Sequence, residues 1–238
     1  MLCKIADLIT EVPETGGLAP RVRDYLWTGD PTVKPDIVIR ESDYRPHMWQ
    51  GFPRDLYCYM ESGCRFYANL LCFQGMMLHA SAVVYDGRAY LFSGDSGVGK
   101  STHTKLWQTI LGEDRALIIN DDKPALRYLD RQWFAYGTPW CGKDGINLNM
   151  RVPLAGICFL EQGSENRIDL LEPKDAITHL IPQTMHWFYR PEKVYLMLEH
   201  LQKLLDVIPV FHFVNKPEPK AAELSFEVMT SEAVKRRL

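Results

Sequence analysis

One glycine-rich segment, with a tight turn before it, constrains this chain more than any other feature. Residues 94–101 read GDSGVGKS and match the pattern G-x-x-x-x-G-K-[ST]. The residues before it, RAYLFS, predict a strand, and those after it, STHTKLWQTIL, predict a helix that stops at Gly112. Between a strand and a helix, such glycines turn backbone N–H groups inward, and the helix N-terminus adds positive partial charge. The segment is therefore predicted to bind phosphate groups.

The residue types in this segment predict a nucleotide with a metal ion. Lys100 supplies a point charge for the β- and γ-phosphates of ATP, and the Ser101 hydroxyl is a ligand for Mg²⁺. The predicted nucleotide-binding residues are Gly94, Asp95, Ser96, Gly97, Val98, Gly99, Lys100, Ser101 and Thr102.

The turn before the segment determines what kind of sheet is expected. Asp86-Gly87 joins the apolar run 76–85 (MMLHASAVVY) to residues 88–93, which is the signal for a two-residue β-hairpin. Most phosphate-binding loops of this kind follow a strand of a parallel sheet, which is reached through helical crossovers. The hairpin instead predicts an α/β fold with a mixed, largely antiparallel central sheet and flanking helices.

Two further features bear on the chemistry. Asp121-Asp122 ends the apolar run ALIIN, where one carboxylate could hold Mg²⁺ and the other could accept a proton from an attacking hydroxyl. The alternative is a plain turn or a helix cap. His79 lies near the start of the strand before the hairpin, so it is expected beside the phosphate end of the partner strand. The alternative for His79 is a hydrogen-bonded core histidine.

These segments together resemble a known family. LHASAVVYDGRAYLFSGDSGVGKST followed by IINDD is similar to the C-terminal kinase domain of the HPr kinase/phosphorylase family, which shares its core with the ATP-dependent phosphoenolpyruvate carboxykinases. The resemblance implies ATP with Mg²⁺, transfer of the γ-phosphate to a hydroxyl, and possible homo-oligomers. It also implies that one of Asp121 and Asp122 is the base and the other a metal ligand with Ser101, and that His79 supports the base.

The chain departs from that family in several places. Ala80 stands where the family usually has glycine after its histidine, and the connection from Lys100 to Asp121 is longer. About 75 unrelated residues replace the family's N-terminal domain. We therefore expect an N-terminal α/β extension at residues 1–75, packed on a kinase-like domain at residues 76–238.

A segment at residues 136–149 (YGTPWCGKDGINLN) stands where the family has a glycine-rich acidic motif. Lys143 within it is a candidate to neutralise charge in the transition state, with Arg151 as a weaker second candidate. The alternative is a solvated loop with an aromatic anchor. Trp140 and Cys141 could line an acceptor or adenine pocket. The aromatic and basic run 186–190 (HWFYR) could touch substrate, or could belong to the core or cap a helix.

Composition excludes several other classes. Lys and Arg number 27 against 30 Asp and Glu, a net charge of −3, which does not favour nucleic-acid binding. Six cysteines without a C-x-x-C pair argue against a zinc site or a disulfide framework. There is no apolar run of the ~20 residues that cross a bilayer and no secretory N-terminus. We expect a cytoplasmic protein without membrane partners.

The sequence therefore predicts an ATP- and Mg²⁺-dependent kinase acting on a hydroxyl of a peptide, a protein serine or a small molecule. Three alternatives stay open: a carboxykinase-like enzyme acting on a small carboxylate, a nucleotide-binding switch without an acceptor, and a peptide-modifying kinase with a recognition partner. The carboxykinase alternative requires an additional cluster of His and Lys metal ligands, which the sequence does not show.

Overall fold

A computed structural model describes residues 1–14, 17–185 and 191–231 of the 238-residue chain. The HWFYR segment at 186–190 lies outside the described residues, so its predicted role is not addressed. None of the helices in the described ranges is long and apolar enough to cross a membrane.

The N-terminal region forms a small sheet and one long helix. Its strands pair in the order β1-β2-β3, antiparallel and then parallel. The bounds are β1 (Leu2–Ile5), β2 (Leu8–Glu11), β3 (Ile37–Val38) and α1 (Arg54–Leu70). The many proline and glycine residues before residue 54 keep the strands short, and apolar residues at helical spacing after it form the buried face of α1.

A nine-stranded sheet forms the centre of the molecule. Seven strands follow the order β4-β8-β9-β10-β6-β5-β7, and β12 joins β10 and carries β11 on its other side. The bounds are β4 (Gly75–Met77), β5 (Ala80–Tyr85), β6 (Arg88–Ser93), β7 (Ala116–Asn120), β8 (Ala125–Leu129), β9 (Gln132–Tyr136), β10 (Arg151–Gln162), β11 (Arg167–Leu170) and β12 (Val210–Asn215).

The expected sheet type is confirmed. Only β10 pairs in parallel, with β6 and with β12, and the other pairings in this sheet are antiparallel. The hairpins at Asp86-Gly87 and Asp130-Arg131 both form, with positive φ at all four of these turn residues. The fold is thus α/β with a mixed, largely antiparallel sheet.

Helices cover both faces of this sheet. Alternate residues of β5 enter different hydrophobic clusters: Ala82 and Val84 pack in the cluster that contains residues of α3 and α4, and Val83 in the one that contains residues of α2 and α5. The bounds are α2 (Lys100–Leu111), α3 (Pro173–Gln183), α4 (Pro191–Leu205) and α5 (Pro219–Met229). No sequence pattern predicted α5.

The N-terminal region shares a hydrophobic core with the main sheet. Tyr25 and Phe66 lie in one buried cluster with Met77 and Trp140. Polar contacts add to it, because the Arg127 guanidinium donates to the Ala6 carbonyl at 2.7 Å. This packing brings the N-terminal residues close to the region around Asp122.

The run 76–85, expected as one strand, is divided into β4 and β5. At the break, the backbone N–H of His79 donates to the Gln183 carbonyl at 2.8 Å, and that of Ala80 donates to the Asp122 carbonyl at 3.1 Å. The chain thus leaves the regular ladder because its backbone pairs with α3 and with the turn after β7. The break sets His79 beside that turn.

Candidate functional site

The glycine-rich loop, residues 94–101, connects β6 to α2. Gly94, Gly97 and Gly99 have φ of 136°, 84° and 111°, values that residues with a side chain rarely adopt. A Cβ at Gly94 would also lie 2.9 Å from the Leu160 carbonyl oxygen. The loop conformation therefore depends on glycine at these places, as the pattern in the sequence predicted.

Lys100 is the first residue of α2 and is only 8% exposed. Its ammonium donates to the carbonyls of Gly94 at 2.9 Å and Asp95 at 3.1 Å, so it closes the loop on itself. Burial lowers the pKa of Lys100, while the charges of Asp122 and Asp95 act to raise it. The amine thus lies inside the curve of the loop, beside carboxylates.

Asn120, the last residue of β7, organises the turn that carries the two aspartates. Its side-chain oxygen accepts from the backbone N–H groups of Asp122 at 3.0 Å and Lys123 at 2.7 Å. Its amide nitrogen donates to the Thr138 carbonyl at 3.0 Å. Asn120 is fully buried, so this turn is fixed from inside the protein.

Asp121 is buried against the segment that follows β9. Its carboxylate accepts from the Gly142 backbone N–H at 2.6 Å, and a Cβ at Gly142 would lie only 2.8 Å from that carboxylate. The Ser101 hydroxyl donates to the Asp121 backbone carbonyl at 3.4 Å. Burial raises the pKa of Asp121 against the lowering effect of the Gly142 hydrogen bond, and the charge of Asp122 raises it further.

Asp122 pairs with a histidine and a lysine. Its carboxylate lies 3.1 Å from His79 Nε2 and also contacts the Lys123 ammonium. Burial acts to raise its pKa, but the hydrogen bond from His79 and the charge of Lys123 outweigh burial and lower it to about 2. Asp122 is therefore ionised over the whole physiological pH range.

A hydrogen-bonded chain links His79 back to the glycine-rich loop. The Gln183 amide nitrogen donates to the Asp95 carboxylate at 3.2 Å, and its oxygen lies 3.0 Å from His79 Nδ1. Because a carboxylate only accepts, the Gln183 nitrogen faces Asp95, and its oxygen must then accept from His79 Nδ1–H. This arrangement presents Nε2 of His79 to Asp122.

The loop, His79 and both aspartates border one cavity of about 450 Å³, which we call the loop cavity. The predicted site residues that line it are His79, Ser96, Gly97, Gly99, Lys100, Ser101, Thr102, Asp121, Asp122 and Lys143. Gly94, Asp95 and Val98 border a neighbouring cavity of about 500 Å³ that contains neither Lys100 nor an aspartate of the pair.

A smaller cavity of about 270 Å³ lies beside Asp122, and we call it the N-terminal cavity. It shares Asp122, Gly142 and Lys143 with the loop cavity. Its other lining residues come from the N-terminal region and from the residues after β7 and β9: Gly17, Arg21, Asp55, Leu56, Tyr59, Met60, Lys123 and Cys141.

Some predicted candidates lie elsewhere. Arg151 pairs with Asp7 at 3.1 Å and lies over the Phe134 ring, and it lines neither of the two cavities, so its candidacy is not supported. Trp140 is a core residue that stacks on Phe66 at 4.8 Å. Cys141 lines the N-terminal cavity.

All six cysteines are free in the structure. Within the described ranges, no group of three or more His, Cys, Asp or Glu side chains is placed to hold a metal ion.

Sequence reasoning missed Asn120 and Gln183. Asn120 had a local signal, because an asparagine before Asp-Asp commonly bonds backbone N–H groups two and three residues ahead. Gln183 had none, because it reaches His79 only through the packing of α3 on the main sheet. Arg21 and Tyr59 were missed for the same reason, since they contribute to the cavity from the N-terminal region.

Comparisons with known proteins identify a family but little chemistry. A solved structure of the HPr(Ser) kinase/phosphatase from Coxiella burnetii is similar at 12% identity, over 67% of this chain and 92% of that chain, with a TM-score of 0.38. A superposition of that quality supports no inference about this chain. No curated protein matches the sequence. A family model described as SynChlorMet cassette protein ScmC matches residues 57–197, more than half of the chain. The chain therefore belongs to the ScmC family of SynChlorMet cassette proteins.

Proposed function

We propose that this protein is an ATP- and Mg²⁺-dependent kinase that transfers the γ-phosphate to a hydroxyl. The observation that supports this most is the loop cavity, which is bordered by Lys100 and by the His79–Asp122 pair. Phosphoryl transfer requires a cationic cradle for phosphate and a carboxylate that orients the acceptor, and both border the same space. The resemblance to the HPr kinase/phosphorylase family in residues 76–122 points to the same chemistry.

The glycine-rich loop is the proposed binding site for the nucleotide phosphates. Its three glycines with positive φ free backbone N–H groups for anions, and α2 begins directly after it. The Lys100 ammonium donates to two loop carbonyls, and with a nucleotide bound it would turn to the β- and γ-phosphates.

Ser101 and Asp121 are the proposed protein ligands of Mg²⁺. The Ser101 hydroxyl lies beside the Asp121 backbone, and both residues border the loop cavity. Magnesium prefers oxygen ligands and takes most of them from water and substrate phosphates, so two oxygen ligands from the protein are enough to bind it. A bound Mg²⁺ would neutralise charge on the phosphates.

Asp122 is the proposed orienting group and proton acceptor. The acceptor hydroxyl oxygen forms a bond to the γ-phosphorus, and the bond from that phosphorus to the β–γ bridging oxygen breaks, leaving its electron pair on ADP. The hydroxyl proton passes to Asp122. A carboxylate with a pKa of about 2 is a weak base, so its main work is to orient the hydroxyl. That suits phosphoryl transfer, in which bond breaking to the leaving group runs ahead of proton removal.

His79 and Lys143 take supporting roles in this proposal. His79 holds Asp122 in place and is itself held by Gln183. Lys143 borders both cavities and is exposed, so it can reach the transferring phosphate as charge develops.

The direct test is a transfer assay with [γ-³²P]ATP and Mg²⁺ over serine-containing peptides, amino acids, sugars and polyols. We expect label on at least one hydroxyl acceptor, with loss of that label in Lys100→Ala. Tight ATP binding with no labelled acceptor would overturn the kinase proposal in favour of a nucleotide-binding switch. Label that persists in Lys100→Ala would indicate a contaminating kinase.

A further inference from the structure

The N-terminal cavity reaches the same carboxylate as the loop cavity from another direction. Asp122, Gly142 and Lys143 border both cavities, whereas Lys100 and Ser101 border only the loop cavity. If the nucleotide phosphates occupy the loop cavity, the acceptor must approach Asp122 from space that the phosphates leave free. The N-terminal cavity is such a space.

The walls of this cavity are tied together by hydrogen bonds. The Tyr59 hydroxyl, on α1, donates to the Cys141 carbonyl at 2.9 Å. Gly17 approaches α1 so closely that a Cβ on it would lie 2.7 Å from the Asp55 carbonyl oxygen. Arg21 donates to the Gly17 carbonyl at 2.8 Å. The cavity is therefore formed before any ligand arrives, which lowers the entropy cost of binding.

Arg21 is the cation best placed to recognise a ligand there. Its guanidinium lies 4.8 Å from the centre of the Tyr59 ring, which fixes its plane. One nitrogen, Nη1, donates to the Gly17 carbonyl. Among the described residues Arg21 forms no ion pair, and it lines the cavity, so its guanidinium charge can pair with an anion that enters there.

The charges on the cavity wall favour an anionic ligand. Three cationic residues, Arg21, Lys123 and Lys143, line it with two acidic residues, Asp55 and Asp122. Lys123 and Asp122 contact each other, which leaves Arg21 and Lys143 against Asp55. The remaining charge is therefore positive by one.

The size of the cavity limits that ligand. Sites for drug-sized ligands are roughly 300–1,000 Å³, and about 270 Å³ falls just below that range. A compact molecule with few heavy atoms fits this volume.

We propose that the N-terminal cavity is the acceptor site, and that it selects small hydroxyl compounds bearing a carboxylate, which Arg21 binds while Asp122 orients the hydroxyl. This rests on the proposed kinase function. It also gives the N-terminal region a task, because residues 17–60 supply the wall that distinguishes one acceptor from another.

Acceptors should be compared as matched pairs that differ in the carboxylate. Glycerate is compared with glycerol, and serine with serinamide, in assays with [γ-³²P]ATP and Mg²⁺. A serine-containing peptide blocked at both termini is tested as a further acceptor. We expect kcat/KM to favour the carboxylate member of at least one pair by about 10- to 100-fold, the usual range for a hydrogen bond between charged groups. Equal rates within both pairs, or a preference for the blocked peptide, would overturn the proposal.

Arg21 is then tested with a matched neighbour. Arg21→Gln should raise KM for the carboxylate acceptor by about tenfold or more, and Arg21→Lys should recover part of the loss. KM for ATP and KM for the neutral partner should not change in either variant. Arg23→Gln, an exposed arginine outside this cavity, is the control and should match the unaltered protein.

The outcomes separate this inference from the kinase proposal. If Arg21→Gln lost both ATP binding and acceptor turnover, Arg21 would have a structural role. That result would overturn the acceptor assignment. An active kinase that prefers neutral acceptors would overturn the acceptor class alone. Absence of transfer to every acceptor, with ATP bound, would overturn the kinase function itself.

Discussion

The two cavities that meet at Asp122 are built in different ways. The loop cavity takes most of its wall from two short stretches, residues 96–102 and 121–122, each lying directly after a strand of the main sheet. The N-terminal cavity takes its wall from residues spread between Gly17 and Lys143. The first consists of local motifs at the ends of β6 and β7, and the second exists only because the N-terminal region packs on the core. The proposed phosphate site could therefore be predicted from the sequence, and the proposed acceptor site depends on tertiary contacts.

Substitution of Lys100 should cause the largest loss of transfer. The loss should come from the loop cavity, with no change in KM for the acceptor. Lys100→Ala removes the only lysine within the loop, and we expect transfer to fall by about 10³-fold, as for loss of a group that stabilises developing charge. Kinetics with saturating acceptor would measure this. Lys220→Ala, an exposed lysine on α5, should have no effect. If KM for the acceptor rose while ATP kinetics were unchanged, the division between the cavities would be wrong.

Gly142 tests the wall that both cavities share. In Gly142→Ala the new Cβ would lie 2.8 Å from the Asp121 carboxylate and would push it aside. We expect about a 10²-fold loss of kcat, as a displacement near 1 Å can cause, with a higher Mg²⁺ requirement. Titration of activity with Mg²⁺ measures both. An unchanged Mg²⁺ requirement would contradict the assignment of Asp121 as a metal ligand.

Gln183 tests the connection from the loop to the acceptor side. Gln183→Leu keeps a similar volume but breaks the links to Asp95 and His79, so Asp122 loses some of its orientation. We expect kcat to fall by about five- to tenfold, the value of one hydrogen bond, because His79 loses the partner that orients its ring. KM for ATP should remain the same. Gln202→Leu, exposed on α4, is the matched control and should behave like the unaltered protein.

The smallest expected effects are on stability. Replacing Asp121 and replacing Asp122 should change the stability of the fold at pH 7 in opposite directions. Asp122 has a lowered pKa, so its charge stabilises the fold above the ordinary pKa of 3.8, and that stability is lost as pH falls towards about 2. Asp122→Asn should thus lower the free energy of unfolding at pH 7 by on the order of 1–2 kcal/mol.

Asp121 has a raised pKa, so its stability contribution is present at acid pH and is lost as pH rises through that pKa. Asp121→Asn should raise Tm at pH 7 in the absence of metal, because the amide oxygen can still accept from Gly142. Thermal unfolding of both variants at pH 7 and pH 4 checks this. A change of the same sign in both would contradict the account of the turn.

The parts of the site that were predicted from sequence are those fixed by neighbouring residues. The glycines before Lys100, the Asp86-Gly87 turn and the apolar strand before Asp121 each act within a few residues, so their outcome could be predicted. The sheet type followed from the hairpin. The break at His79 was missed because it depends on Gln183, which lies 104 residues away.

Arg151, by contrast, was a candidate from the sequence that the structure places away from both cavities. Its sequence position near Lys143 suggested a place at the site, but β9 and β10 turn it towards Asp7 and the Phe134 ring. The alternation of side chains along a strand decides which face of the sheet a charged residue lies on. The partner of Arg151, Asp7, lies 144 residues away in the sequence. Proximity in sequence is thus a poor guide outside the local motif.

The most direct test of the kinase account compares transfer and nucleotide binding in Asp122→Asn. The Asp122 carboxylate makes no hydrogen bond to the glycine-rich loop among the described residues, so its loss should leave the Kd for ATP within a few-fold of the original. Transfer to the best acceptor should fall by about 10²-fold, as when a group that orients a reactant is lost. Transfer that persists in Asp122→Asn, with ATP bound equally well, would contradict the proposal that this carboxylate orients the acceptor.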